Sequence, residues 1–157
     1  MKKSKKLLIV GGTGFIGINV TKEAVKRGFH VSVISKKKYL KPEQISGAKY
    51  ISVDITDAKS LLFKLKGLSF DYVLNLGGYV DHSNYFNGGD EIINVHFNGT
   101  KNLVNCIDKD NLKGFIQIGS SDEYGDNTAP QNENHRELPI SPYSFAKVAS
   151  THFLQML

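Results

Sequence analysis

Cysteine is almost missing from this chain. Cys106 is the only one in 157 residues, so no internal disulfide can staple the fold. Its place in an apolar helical stretch predicts packing within a core. No apolar run approaches the length needed to cross a bilayer. The N-terminus is basic, yet the apolar run behind it is short and breaks at glycines, unlike a secretory leader. Internal repeats are lacking, and so is any low-complexity tract beyond the lysine-rich start. Net charge is +5, but Lys2, Lys3, Lys5 and Lys6 supply four of those charges. A short basic arm without stacking aromatics is a solvated tail, which argues against a nucleic-acid surface. With 40% hydrophobic and 22% charged residues, the composition is that of an ordinary soluble chain with one sizeable core. The expectation is a cytoplasmic protein with no membrane partner, no nucleic-acid partner and no metal.

What the chain does have is glycine in one telling place. Leu7 to Val10 is apolar and short, and predicts a buried parallel strand. It runs into Gly11-Gly12-Thr13-Gly14-Phe15-Ile16-Gly17, and Ile16, Val20, Ala24 and Val25 then recur at helical spacing. Gly11 permits a tight turn, Gly14 lets backbone N–H groups approach a pyrophosphate, and Gly17 lets the helix sit close. The positive end of the new helix favours that anion. The turn alone is a weak signal, but with a strand before it and a helix after it, it predicts dinucleotide binding by Gly11, Thr13, Gly14, Phe15, Ile16 and Gly17.

Further strands follow in order. Gly28 closes the first helix, and His30 to Ile34 forms a second strand ending at Ser35-Lys36-Lys37-Lys38. An acidic residue there would hold a ribose 2′-hydroxyl. Serine and lysine instead suit a 2′-phosphate, which points to NADP ahead of NAD through Ser35 and Lys36. A third strand, Ala48 to Val53, ends at Asp54-Ile55. Asp54 is expected to accept from the adenine amino group, with turn chemistry as its bland alternative. Asp57 has the place of a helix cap for Ala58 to Leu65. Phe70 to Leu76 is a fourth strand, and Leu76, Gly77 and Gly78 would let backbone lie against the cofactor. The polar loop from Tyr79 to Gly89 carries Asp81 and His82, which could touch substrate. A long helix from Asp90 through Ile107 includes Gly99, whose cost of roughly 1 kcal/mol relative to alanine suggests close packing. Gly114 to Ile118 makes a fifth strand, ending at Ser120-Ser121-Asp122-Glu123.

Residues 126 to 142 hold three of the four prolines and predict a long functional loop. Ser141-Pro142 then opens a helix that puts Tyr143 and Lys147 on one face. Strand–helix alternation implies a parallel sheet with its ligand crevice at the strand carboxyl ends. A phenol normally titrates near 10, and an adjacent ammonium favours its ionised form. Such a pair beside a nicotinamide suits acid/base chemistry at a secondary alcohol.

These pieces together resemble the extended short-chain dehydrogenase/reductase family of NAD(P)-dependent nucleotide-sugar epimerases, dehydratases and reductases. The matching stretches are GGTGFIG at 11–17, VDITD at 53–57, NLGG at 75–78, HFNGTKNLV at 96–104, SSDEYG at 120–125 and SPYSFAK at 141–147. The resemblance implies an α/β fold, a Rossmann-type doubly wound parallel sheet of about five strands in the order 3-2-1-4-5. It implies Tyr143 as acid/base, Lys147 as the residue that tunes it and holds the nicotinamide ribose, and Ser121 as hydroxyl partner with Ser120 in reserve. The expected reaction is hydride transfer at a sugar C4 keto or hydroxyl centre by a reductase or epimerase. An alternative is a 4,6-dehydratase using Asp122 and Glu123, and an alternative of another class is a non-catalytic NAD(P)-sensing module.

Several departures qualify the resemblance. His96 stands where the family usually has an asparagine. The second strand lacks a terminal acid, and the SSDEYG turn is one residue shorter than in typical sugar dehydratases. The chain also stops within the Tyr/Lys helix, where relatives continue into a C-terminal substrate-binding part. The expectation is therefore one dinucleotide-binding domain over 1–157, truncated in that helix, with an unprotected sheet edge beside the fifth strand and little turnover alone. A homodimer is expected if the helix is complete.

Overall fold

The computed structural model describes residues 4–37 and 44–157. Lys38 lies outside the described residues. The elements, in order, are β1 (Lys6–Val10), α1 (Phe15–Lys26), β2 (His30–Ser35), β3 (Ala48–Ser52), α2 (Ala58–Leu65), β4 (Tyr72–Asn75), α3 (Gly89–Ile93), α4 (Gly99–Cys106), β5 (Gly114–Gln117) and α5 (Pro142–Met156). One-turn 3-10 helices occur at Tyr85–Asn87 and Ser121–Tyr124. The chain divides into two compact units, Met1–Gly77 with Asn102–Ile118, and Gly78–Lys101 with Gly119–Leu157.

Among the described residues, the first unit holds a sheet of five parallel strands in the order β3-β2-β1-β4-β5. This is the Rossmann-type order expected. Alternation along β1 explains why both faces are covered. Leu8 and Val10 join Leu61, Leu65, Leu103 and Ile107 in one apolar cluster, while Ile9 joins Val31, Val33 and Ala24 in the other. A parallel sheet is stable when both faces are dry in this way, and each such side chain contributes roughly 1.5–3 kcal/mol on full burial. Cys106 packs against the first cluster. Burial pushes its thiol pKa up, with Lys109 offsetting part of that rise, so it fills space and is poorly reactive.

Helix boundaries follow their chemistry. Gly28 takes φ +79° and donates its N–H to the Val25 carbonyl, closing α1. Asp57 caps α2 by accepting from the Ser60 N–H at 3.0 Å. Ser141 caps α5 ahead of Pro142. β4 is shorter than its apolar run suggests, because its ladder with β1 ends where Val10 pairs with Asn75. β3 and β5 are the edge strands, and Ile116 in β5 and Ile118 just after it are exposed.

In the second unit, α3 does not continue directly as a regular helix. Residues Asn94–Asn98 form a π-helical turn before α4 begins at Gly99. The expected single α-helix is corrected at this point. The carbonyl of His96 within that turn accepts from the hydroxyls of Thr100 at 2.6 Å and Ser150 at 3.1 Å.

Candidate functional site

Within the first unit, the glycine turn separates structural from ligand-directed glycines. Gly11 has φ +74°, and a Cβ there would sit 2.9 Å from the Leu76 backbone. A Cβ on Gly17 would lie 2.2 Å from the Gly11 carbonyl oxygen, so Gly17 lets α1 press against the turn itself. Gly14 is different. A Cβ there would meet only the Gly11 oxygen, at an ordinary 3.4 Å, so the fold alone does not demand glycine. Phe15 is 89% exposed and Ile16 is 55% exposed, which leaves the start of α1 open. Room over Gly14 and uncovered N–H groups at a helix start fit a bound diphosphate.

The other residues expected to hold the cofactor in this unit fall at strand ends. Thr13 donates to the Ser35 hydroxyl at 3.2 Å. Lys36 pairs with Asp54 at 2.8 Å. Asp54 also accepts from the Thr56 N–H at 3.0 Å and hydroxyl at 2.8 Å, so its turn chemistry is present. Burial opposes ionisation of Asp54, but the bonds from Lys36 and Thr56 outweigh it and hold the carboxyl below the usual range. Asn102 donates to the carbonyl of Ile55 at 3.0 Å. Leu76 packs against the second apolar cluster. Gly77 donates its N–H to Asn75 Oδ1, whose amide in turn donates to Gln117 at 2.8 Å.

In the second unit, α5 presents Tyr143 and Lys147 inward, 6% and 5% exposed. The ammonium lies 5.7 Å from the centroid of the phenol ring. Burial pushes the Lys147 pKa down from its ordinary value, with Glu123 offsetting part of the shift. Two histidine rings flank Tyr143 edge-on, His82 at 5.7 Å and His96 at 5.1 Å. His82 also lies 3.6 Å from Asp122. A cleft of about 530 Å³ opens beside His82, Asn84, Tyr85, Ile93, Ile140 and Phe145.

The serine turn sorts its four residues. Ser120 caps the short helix by accepting from the Asp122 N–H, and Glu123 reaches back to the Ser120 N–H at 2.8 Å. The second oxygen of Glu123 accepts from Thr151 at 2.9 Å, and the residue is buried. Ser121 is exposed, and its hydroxyl carries none of these bonds. The Ser-x-x-Glu spacing at 120–123 is a capping-box signature that could have announced this arrangement. No local pattern announces that His82 and His96 lie against Tyr143.

Comparison with known proteins agrees with this architecture. The model of the NAD dependent epimerase/dehydratase family matches residues 7–157. A UDP-N-acetyl-alpha-D-glucosaminuronate decarboxylase of Bacillus cytotoxicus is 31% identical over 140 residues, covering 85% of this chain and 42% of that protein. A probable dTDP-glucose 4,6-dehydratase of Sinorhizobium fredii is 27% identical, covering 94% of this chain and 47% of its own length. Among solved structures, Bordetella bronchiseptica WbmG in complex with NAD superposes with a TM-score of 0.84 at 22% identity, over 99% of this chain and 50% of that one. The chain thus spans about half the length of the curated relatives it matches. Its matched span and sheet order identify it as a member of the NAD-dependent epimerase/dehydratase family.

Proposed function

We propose that the first unit carries an NAD(P) cofactor and that the second supplies proton chemistry for hydride transfer at the C4 centre of a nucleotide sugar. The reading is a reductase or epimerase. The observation that carries it is the pair on α5, a phenol and an ammonium both more than nine-tenths buried and 5.7 Å apart, ring centroid to nitrogen. Burying a lysine costs several kcal/mol unless its surroundings offset the loss of water, and packing alone does not call for it.

The bound nicotinamide supplies or accepts the hydride. In the reductive direction, Tyr143 gives a proton to the sugar oxygen, and Lys147 stabilises the phenolate that remains. Ser121, exposed and not engaged in the cap, hydrogen-bonds the same sugar oxygen and fixes its position. The cleft beside His82 offers a hexose ring both polar groups and aromatic faces. Gly14 and the open start of α1 receive the diphosphate, Ser35 and Lys36 favour a 2′-phosphate, and Asp54 addresses the adenine.

The dehydratase reading needs Glu123 as a free base. That carboxylate is occupied by two donors, which favours the reductase or epimerase. A non-catalytic NAD(P)-sensing module remains the contrasting class, and nothing in such a role requires the buried Tyr143–Lys147 pair. Fluorescence titration with NADPH and NADH tests cofactor binding. Turnover is tested by NADPH consumption with a nucleotide-linked 4-keto sugar, comparing the chain with Tyr143→Phe. The expected result is binding by both and turnover reduced by about a hundredfold or more in the variant. Turnover above background that is equal in the variant overturns the acid/base role, and a 4-keto-6-deoxy product formed without reductant favours the dehydratase.

A further inference from the structure

The positive charge of the first unit gathers at one end of its sheet. Parallel strands all start at the same end, and α1 and α2 run back to it. Lys5 and Lys6 open β1, Lys26 ends α1, Lys49 lies at the start of β3, and Lys64 and Lys66 close α2. Backbone bonds stitch the strand starts together. His30 donates to the Lys5 carbonyl at 2.9 Å, Asp71 to that of Lys6 at 2.9 Å and Lys113 to that of Asp71 at 2.8 Å. All six lysine residues are exposed, and among the described residues none of their ammonium groups lies within ion-pair distance of a carboxylate. The acids at this end are engaged. Asp71 holds Lys113 and the Lys6 N–H, and Glu23 holds Arg27, while Asp108 and Asp110 flank Lys109. Two adjoining hollows of about 310 and 260 Å³ open here and share Lys6, Ser69 and Phe70. On the outer side of the same unit, α2 is anchored by Leu61 and Leu65, yet Leu62 and Phe63 stand 56% and 76% exposed. Spacings of three and four residues put them on one face with Lys59 and Lys66.

We propose that this end of the first unit, together with the outer face of α2, docks on an anionic phospholipid bilayer. The lysines meet the charged headgroups, and Leu62 and Phe63 enter the layer beneath them. Lysines interleaved with apolar side chains suit a bilayer, which offers negative charge at its surface and hydrocarbon just below. A nucleic acid offers the charge without the hydrocarbon and leaves Leu62 in water. The contact is peripheral, as no described helix is long and apolar enough to cross a membrane. It runs against the expectation of no membrane partner, which took the first lysines for a loose arm. Lys6 instead begins β1, and its ammonium donates to Ser69 at 3.1 Å. The strand carboxyl ends, where the cofactor residues fall, lie at the opposite end of the unit and stay open. The proposal therefore stands apart from the catalytic reading.

Co-sedimentation of the full chain with vesicles tests it. Phosphatidylcholine vesicles containing about 30% phosphatidylserine should bind the chain, and pure phosphatidylcholine should not. Binding should weaken steeply as added salt shortens the screening length. A lysine at such a surface is worth about fivefold in affinity, so Lys49→Glu and Lys66→Glu should each cost about tenfold or more. Arg136→Glu makes the same charge change in the second unit and should leave affinity within about twofold. The chain has no tryptophan, so Phe63→Trp adds a single reporter whose emission should shift to the blue on anionic vesicles only. Melting curves check that each variant is folded, and Lys49→Gln and Lys66→Gln replace any reversal that is not. No binding at low salt, binding indifferent to lipid charge, equal losses in all three reversals, or unmoved emission on bound vesicles overturns the proposal. So does a chain that ignores vesicles and binds single-stranded RNA, which assigns the face to nucleic acid.

Discussion

Lys36 Nζ lies 2.8 Å from Asp54 Oδ2, joining the segments that follow the neighbouring strands β2 and β3. The pair ties together two groups that the proposed function assigns to the two parts of an adenosine, the 2′-phosphate and the base. A lysine already paired with a carboxylate offers less net charge to a phosphate. Lys36→Ala is therefore expected to lower the NADPH-to-NADH affinity ratio. Asp54→Asn is expected to raise that ratio by about twofold to fivefold, on the scale of a partly exposed charge pair. Fluorescence titration of both variants with both cofactors measures it.

Gly14→Ala and Gly17→Ala should separate binding from folding. The added methyl at Gly17 would strike the Gly11 carbonyl at 2.2 Å, and backbone cannot step aside as a side chain can. Stability should fall by about 2 kcal/mol or more. At Gly14 the methyl meets nothing closer than 3.4 Å, and Gly14 is the N-cap of α1, so urea unfolding should change by only the cap preference of glycine over alanine, about 0.5–1 kcal/mol. Dinucleotide affinity in that variant should nevertheless drop at least about tenfold.

Acid should destabilise the chain partly through His96. Burial leads the causes that lower its folded-state pKa beneath the ordinary 6.5. The unfolded chain thus takes up a proton near 6.5 that the folded chain still refuses. Stability from this group is complete above that value and declines as pH falls toward the folded-state pKa. Thermal unfolding followed between neutral and mildly acidic pH should show the decline, and His96→Asn should flatten it.

The serine turn offers a division of labour that calorimetry and kinetics can read together. Glu123→Gln removes one of two acceptors from a buried carboxylate, and should cost about 1–3 kcal/mol. At roughly 2–4 °C per kcal/mol for a chain of this size, the melting midpoint falls by several degrees. Ser120→Ala loses the cap and should cost about 1 kcal/mol. Ser121→Ala should leave the midpoint within about 1 °C and lower kcat by about tenfold.

Most of the scaffold could be read from local chemistry. Asp57, Gly28 and Ser141-Pro142 announce helix ends because caps and left-handed glycines are properties of a few adjacent residues. The sheet order follows from alternating strands and helices with right-handed crossovers. Long-range pairings were not legible. Lys36 and Asp54 are separated by a whole strand, and nothing in either segment says that their charges meet. The π turn at Asn94–Asn98 preserves an apolar rhythm that an uninterrupted helix would also satisfy. Glu123 looked like a free acid because its burial depends on Thr151, in a helix beyond the long loop.

That π turn also has a bearing on length. Each residue of an α-helix turns the chain by about 100°, and a π turn spends about one residue more on the same rotation. The five residues Asn94–Asn98 therefore carry one extra residue without shifting the helical phase of α4. Removing one residue inside this turn should leave a regular helix and be better tolerated than the same deletion within α4.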